Sequence, residues 1–215
     1  MSNSDPMPSI KVLLLRTMSE DSCEAGEATA LLSDFIDRGG LIEIDDVTTA
    51  QIKSIIRNRE GRIDSSFAQF MTSLSDKGES FIDEMTFHLN RWTSDRVSTQ
   101  SVLWTLRRLG QRAIAAKETI IPCLRSTDAW ARYYAIIALS GIDGNSESTL
   151  AAISNTLMNE NEPFVVFACI RSILESNRRG MYRQLCNKFI AKFYDKMNYS
   201  EQEIIDELMK GDSSS

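Results

Sequence analysis

Helix-breaking residues are scarce in this chain of 215 residues, which has ten glycines and four prolines, and only short polar turns separate its apolar runs. Long loops and a sheet-rich fold are therefore disfavoured, and mostly helical structure is expected. Histidine occurs once, at His88. A two-histidine metal site of the H-E-x-x-H kind is thereby excluded, and a serine-histidine triad would rest on that single ring. His88 stands among Phe87, Leu89 and Trp92, a setting that fits a structural side chain better than a catalytic one. The four cysteines, Cys23, Cys123, Cys169 and Cys186, form no C-x-x-C pair and are expected as buried free thiols. No apolar run approaches the roughly 20 residues needed to span a bilayer. The opening MSNSDPMPS also lacks the basic region and cleavage site of a secretory signal. A cytoplasmic location and no membrane partner are the expectation.

Phosphate-cradling glycine motifs are missing as well, and no cofactor or metal is expected. Two stretches, DRGGLIEIDD and NREGRIDSS, carry a glycine followed two residues later by isoleucine, as calcium loops do. With that glycine as position six, the first ligand positions would be Phe35 and Ile56, which offer no oxygen. These stretches read as turns between helices. The adjacent acids Asp45-Asp46, Asp83-Glu84 and Asp206-Glu207 read as solvated helix faces rather than acid-base pairs.

The net charge of −6 is unevenly spread. Residues 1–97 carry 17 acids against 10 bases, whereas residues 98–196 carry 8 against 13. The acidic excess argues against a dedicated nucleic-acid binder, but a basic face on the second half stays open.

Residues 1–8 and the closing GDSSS, 211–215, are expected to be disordered ends, and residues 9–78 an N-terminal helical region or degenerate repeats. The segment IKVLLLRTM precedes a helix over about 23–38 that stops at Gly39-Gly40. Another runs through Ile52, Ile55 and Ile56 to Gly61. A third, capped near Asp64, sets Phe67, Phe70, Met71 and Leu74 on one stripe. From residue 79 to about 210 the pattern becomes helix, turn, helix. Asp95, Asp128 and Asn161 recur at steps of 33 where a short polar residue would cap each second helix. Leu124, Leu157 and Ile190 keep the same step, as do Val102, Ala135 and Ala168. Three tracks sharing one interval predict an array of stacked antiparallel helix pairs, an all-α superhelix with turns near 93–95, 126–128 and 159–162. In such an array an interior helix is apolar almost all round, as AWARYYAIIALSGI is.

The repeat resembles the HEAT family. Ile121-Pro122-Cys123-Leu124 matches the end of that family's first helix, and Asp128, Ala131, Arg132, Ala135, Ala138 and Leu139 match its second. The next repeat keeps Asn161, Pro163 and Ala168 but has Val165 in the arginine place. Residues 79–110 keep Asp95 and Leu106 with Thr99 there. The resemblance spans about residues 79–195 and implies a HEAT-like solenoid.

Candidate partner-binding residues are Trp130, Arg132, Tyr133 and Tyr134 at one helix start, Phe167 and Arg171 one repeat on, and Arg178, Arg179 and Arg183 beyond. Packing alone would account for many of them. Those left over by packing would line the concave face of the array. The expected function is a non-enzymatic interaction module that grips an unidentified protein partner: an adaptor, an assembly factor, or an inhibitor or immunity-type protein. The alternative is a nucleic-acid-binding protein of the HEAT-like DNA glycosylase type, in which DAWARYYAI would supply an aromatic cleft and the later arginines would hold phosphates.

Overall fold

The computed structural model describes residues 9–17, 19, 21–37, 45–58, 79–91 and 96–210. Among them every regular element is helical. The stripe of Phe67, Phe70, Met71 and Leu74, the turns at Gly39-Gly40 and Gly61, the cap at Asp95 and both termini lie outside the described residues. The chain divides into two compact units, Met1–Thr105 and Leu106–Ser215.

In the first unit α1 (Ile10–Arg16) packs on α2 (Ser22–Asp37), and α3 (Asp46–Asn58) on α4 (Ile82–Arg91). Short polar residues open three of these helices by accepting backbone N–H groups that have no partner within the helix. Ser9 Oγ accepts from Val12 at 3.4 Å, Asp21 Oδ1 from Cys23 at 2.8 Å, and Asp45 Oδ1 from Thr48 at 2.6 Å. On α4, Ile82, Met85 and Leu89 recur at i, i+3, i+7 and are buried. Glu84 and His88 are buried with them. Burial of His88 agrees with a structural role, but burial of Glu84 corrects the expectation that Asp83-Glu84 forms a solvated pair. Arg57 at 3.0 Å and Lys53 at 3.7 Å, both on α3, meet its carboxylate, so a buried charge is compensated by two cations from the neighbouring helix.

Helix α5 (Arg96–Leu109) ends at Gly110, whose φ of +59° is a left-handed conformation that glycine adopts without steric penalty. The second unit then runs as pairs. The first member of the leading pair is not the continuous helix expected around TIIPCL. It consists of a 3-10 turn (Gly110–Ala116), a single α turn, α6 (Lys117–Ile120), and a second 3-10 turn (Ile121–Arg125). Pro122 supplies the cause for the last piece: its ring removes one N–H and crowds the preceding turn, so the chain tightens. The second member, α7 (Ala129–Asp143), is regular. The next pair is α8 (Glu147–Asn159) with α9 (Pro163–Leu174). The last is α10 (Arg179–Phe193), extended by a 3-10 turn (Tyr194–Lys196), with α11 (Tyr199–Lys210).

The turns at 126–128 and 160–162 fall where the spacing predicts. Each second helix packs on the next, α7 on α9 and α9 on α11, while α9 also meets α8 and α10. Nine of the twelve residues of α9 are consequently buried, sparing Pro163, Phe164 and Arg171. Each fully buried aliphatic or aromatic side chain stabilises by roughly 1.5–3 kcal/mol, so this helix is the centre of the core. On α7, Ala131, Ala135, Ala138, Leu139 and Ile142 form the buried stripe. Close approach extends to Gly141, where a Cβ would lie 3.1 Å from Arg107 Cγ.

Three helix starts of this unit, those of α7, α8 and α11, repeat the capping logic. Asp128 Oδ1 accepts the Trp130 N–H at 3.0 Å, and Ser146 Oγ accepts that of Thr149 at 3.3 Å. Asn198 and Glu201 close a reciprocal box at 3.0 and 2.9 Å. Asn161, expected to cap α9, does not. The cap position belongs to Glu162, and Glu160 Oε1 accepts the N–H groups of Asn161 and Glu162 at 2.9 and 3.0 Å. The capping positions Asp128 and Glu162 stand 34 residues apart, one more than the packing tracks, which displaces the polar residue from the cap.

Candidate functional site

Asp128 fixes the start of α7 and with it the direction of Trp130, while Tyr133 and Tyr134, three and four residues on, fall on the same helical face. Phe164, at the start of α9, completes a cluster of four rings. The Trp130 and Phe164 centroids are 4.6 Å apart, Trp130 to Tyr133 5.8 Å, and Tyr133 to Tyr134 5.3 Å at an interplanar angle of 87°. Edge-to-face and tilted contacts of this kind satisfy the ring quadrupoles. The cluster nonetheless remains open to solvent: Trp130 is 40% exposed, and Tyr133, Tyr134 and Phe164 are half-buried. Because the rings lie directly against one another, no slot exists between Trp130 and Phe164 for an inserted base. An occupant would lie on their outer surface.

Phe164 escaped the sequence reading, which chose Phe167. Aligned by helix starts rather than by core residues, Phe164 is the counterpart of Trp130, 34 residues on. Phe167 is 6% exposed and sits in the core.

Beside the rings lies a saturated ion pair. Arg132 Nε donates to Glu160 Oε2 at 2.7 Å and Nη2 to Oε1 at 2.9 Å, while Nη1 donates to the carbonyls of Ser126 and Thr127 at 2.9 and 3.2 Å. One guanidinium thus joins the turn of its own repeat to that of the next. The Glu160 side chain is 5% exposed. Burial pushes its carboxyl up, but the Arg132 guanidinium and the N–H groups of Glu162 and Asn161 outweigh that and leave it below the usual glutamate value. The hydrogen bond to Glu160 correspondingly holds the Arg132 guanidinium above its ordinary value against burial.

The remaining candidates lie elsewhere on the unit. Since the rings at the starts of α7 and α9 touch, these helices begin at one end, and Arg178, beyond the end of α9, belongs to the other. The ten steps from Phe164 to Leu174 span ~15 Å at about 1.5 Å per residue. Arg178 pairs with Glu147 at 3.3 Å and Arg171 with Glu175 at 2.7 Å, all four side chains being substantially exposed. Arg179 and Arg183 are half-buried on α10. The same end carries Lys117, whose Nζ donates to Asp143 at 2.6 Å, Ser146 at 3.0 Å and Ser148 at 2.8 Å. That contact holds the Asp143 carboxyl below its ordinary value.

Cys123, Cys169 and Cys186 are buried and Cys23 is exposed. Burial raises the three inner thiols, Cys186 to about 12, so they persist as unreactive thiols at neutral pH. Among the described residues no group of three metal-ligating side chains gathers, and no helix is long and apolar enough to cross a membrane.

Stacked helix pairs with second helix on second helix define an all-α helical-repeat solenoid. No family model matches the chain, and no curated protein matches it in sequence. Two solved structures share the fold. A designed armadillo repeat protein in complex with the peptide (KR)4 superposes with a TM-score of 0.58 at 10% identity, over 94% of this chain and 99% of that one. An engineered protein from the Northeast Structural Genomics Consortium superposes with a TM-score of 0.55 at 13% identity, over 92% and 95%.

Proposed function

We propose that the chain is a non-enzymatic interaction module of HEAT-like type, an adaptor, assembly factor or inhibitor that holds a partner protein on the surface of its second helices. The observation that carries this reading is the ring cluster of Trp130, Tyr133, Tyr134 and Phe164. A folded array that buries nine of the twelve residues of α9 leaves these four rings together at its surface. Aromatic side chains with little rotamer entropy and polar tips are the usual anchors of protein interfaces. The armadillo neighbour, which holds a peptide, supports the same reading by fold analogy. In this arrangement the Arg132–Glu160 pair lies beside the rings, Phe167 belongs to the core, and Arg171, Arg178, Arg179 and Arg183 extend the surface away from them.

The test is affinity capture from the native host at physiological salt after nuclease treatment, with wild type and Trp130→Ala in parallel. A protein retained stoichiometrically by wild type should be lost by the variant, because truncating a buried aromatic anchor removes about 2 kcal/mol or more. A verified partner that binds an intact Trp130→Ala fold unchanged would remove the ring cluster as the site. Loss of all capture on nuclease treatment would favour the nucleic-acid alternative.

A further inference from the structure

The side of the second unit formed by first helices has a cleft of about 390 Å³ between the 3-10 turn Ile121–Arg125 and α8. It exists because α8 turns small side chains, Ala152 and Thr156, toward a segment that Pro122 has tightened into a thinner helix. Its floor includes Ile121, Leu124 and Ala152. Arg132 and Glu160 also reach it but are consumed by one another, so they contribute no net charge. Arg125, by contrast, is exposed on the wall and makes no ion pair among the described residues. Opposite stand Asn155 and Asn159, both exposed, the second donating to the Asn155 carbonyl at 2.8 Å and keeping its own amide oxygen as an acceptor.

The geometry points to a binding site for an extended acidic peptide segment of a partner protein, with a Glu or Asp side chain on Arg125. Four residues of helix advance about 6 Å, and two residues of extended chain about 6.6 Å, so Asn155 and Asn159 match alternate peptide groups of a segment lying along α8. A planar guanidinium recognises a carboxylate by paired hydrogen bonds, and aliphatic side chains of the segment fill the floor. A single cation among amides and aliphatic carbon suits a peptide better than a phosphate backbone, which is met by several cations. The cleft shares the Arg132–Glu160 pair with the surroundings of the ring cluster but is lined by none of the four rings, so it stands or falls without them.

The experiment is an NMR titration of the full chain with the peptide acetyl-Leu-Glu-Leu-amide, following the side-chain amides of Asn155 and Asn159. Saturable shifts by about 10 mM are expected, the weak end of specific affinity. The Leu-Gln-Leu peptide and Arg125→Gln should each weaken the effect by about tenfold or more, the share of a charge-assisted bidentate contact. Trp130→Ala should leave it unchanged. Absence of shifts, equal shifts with the Gln peptide, or indifference to Arg125→Gln would overturn the site. Stronger binding of acetyl-Leu-Leu-Ala with a free terminal carboxylate, or of inorganic phosphate, would overturn the assignment to an internal acidic segment.

Discussion

The two ends of the stacked helices in the second unit are held by the same kinds of charge in opposite settings. At the end where α7 and α9 begin, Arg132 and Glu160 meet through two hydrogen bonds with side chains only 16% and 5% exposed. At the other end, Arg178 and Glu147 meet at 3.3 Å with side chains 45% and 72% exposed. Desolvation separates them. An exposed pair gains little over hydrated ions and is screened by salt, whereas a buried pair, once formed, leaves a stranded charge when either partner is removed. The Arg132–Glu160 pair is therefore the structural lock between repeats, whereas the Arg178–Glu147 pair is a solvated contact, unlike the better shielded Lys117–Asp143 pair at the same end.

Glu160→Ala should break this contrast most sharply. The substitution strands the Arg132 guanidinium and deprives the N–H groups of Asn161 and Glu162 of their acceptor, at a cost of roughly 3–5 kcal/mol in a denaturant melt. The pH dependence follows from the same carboxylate. Glu160 is held below its unfolded value, so its contribution is fully present above the ordinary glutamate range and is lost as pH falls through the lower folded value. Wild type should lose stability on acidification below about pH 5, and Glu160→Gln should flatten that part of the profile. An equally steep profile in the variant would remove the lock from Glu160.

Next in size is a test of whether packing or the ion pair dominates the join between repeats. Ala135 is wholly buried on α7. Ala135→Leu should overpack that stripe by roughly 1–3 kcal/mol. A neutral melt would mean that the layer has room that the structure does not show.

These regions also differ in how far the sequence discloses them. The stacked helices were legible because burial on one or several faces imposes a helical period, and Asp128 was legible as a cap because a short side chain is needed there. Glu160 was not. Its role depends on an arginine 28 residues earlier, and spacing alone favoured Asn161, the polar residue on the 33-residue step. Phe164 was hidden for the same reason, since caps and core follow steps that differ by one residue. The break at Ala113, with φ −87° and ψ 19°, left no local signature, because alanine is otherwise the best helix former. The Arg171–Glu175 pair is legible as an i,i+4 spacing, but the partner of Arg178, Glu147, lies 31 residues away and becomes evident only once the helices are placed.

The smallest effect is expected at the exposed end. Arg178→Ala should change stability by no more than about 0.5 kcal/mol, because the Glu147 pair is solvated. If that end serves a protein partner or none, wild type should show no duplex DNA binding at about 150 mM salt, where a Debye length of about 8 Å screens weak surface attraction. If it serves phosphates instead, affinity should fall by roughly 10³-fold or more between about 50 and 200 mM salt as condensed counterions are released. Changing Arg178, Arg179 and Arg183 together to glutamate should then abolish binding. Tight, salt-sensitive binding abolished by that triple change, in a protein whose melt is otherwise unaltered, would turn the exposed end from a solvated edge into a nucleic-acid surface. The lock at Arg132 and Glu160 would be untouched by that result, since its role rests on burial at the opposite end.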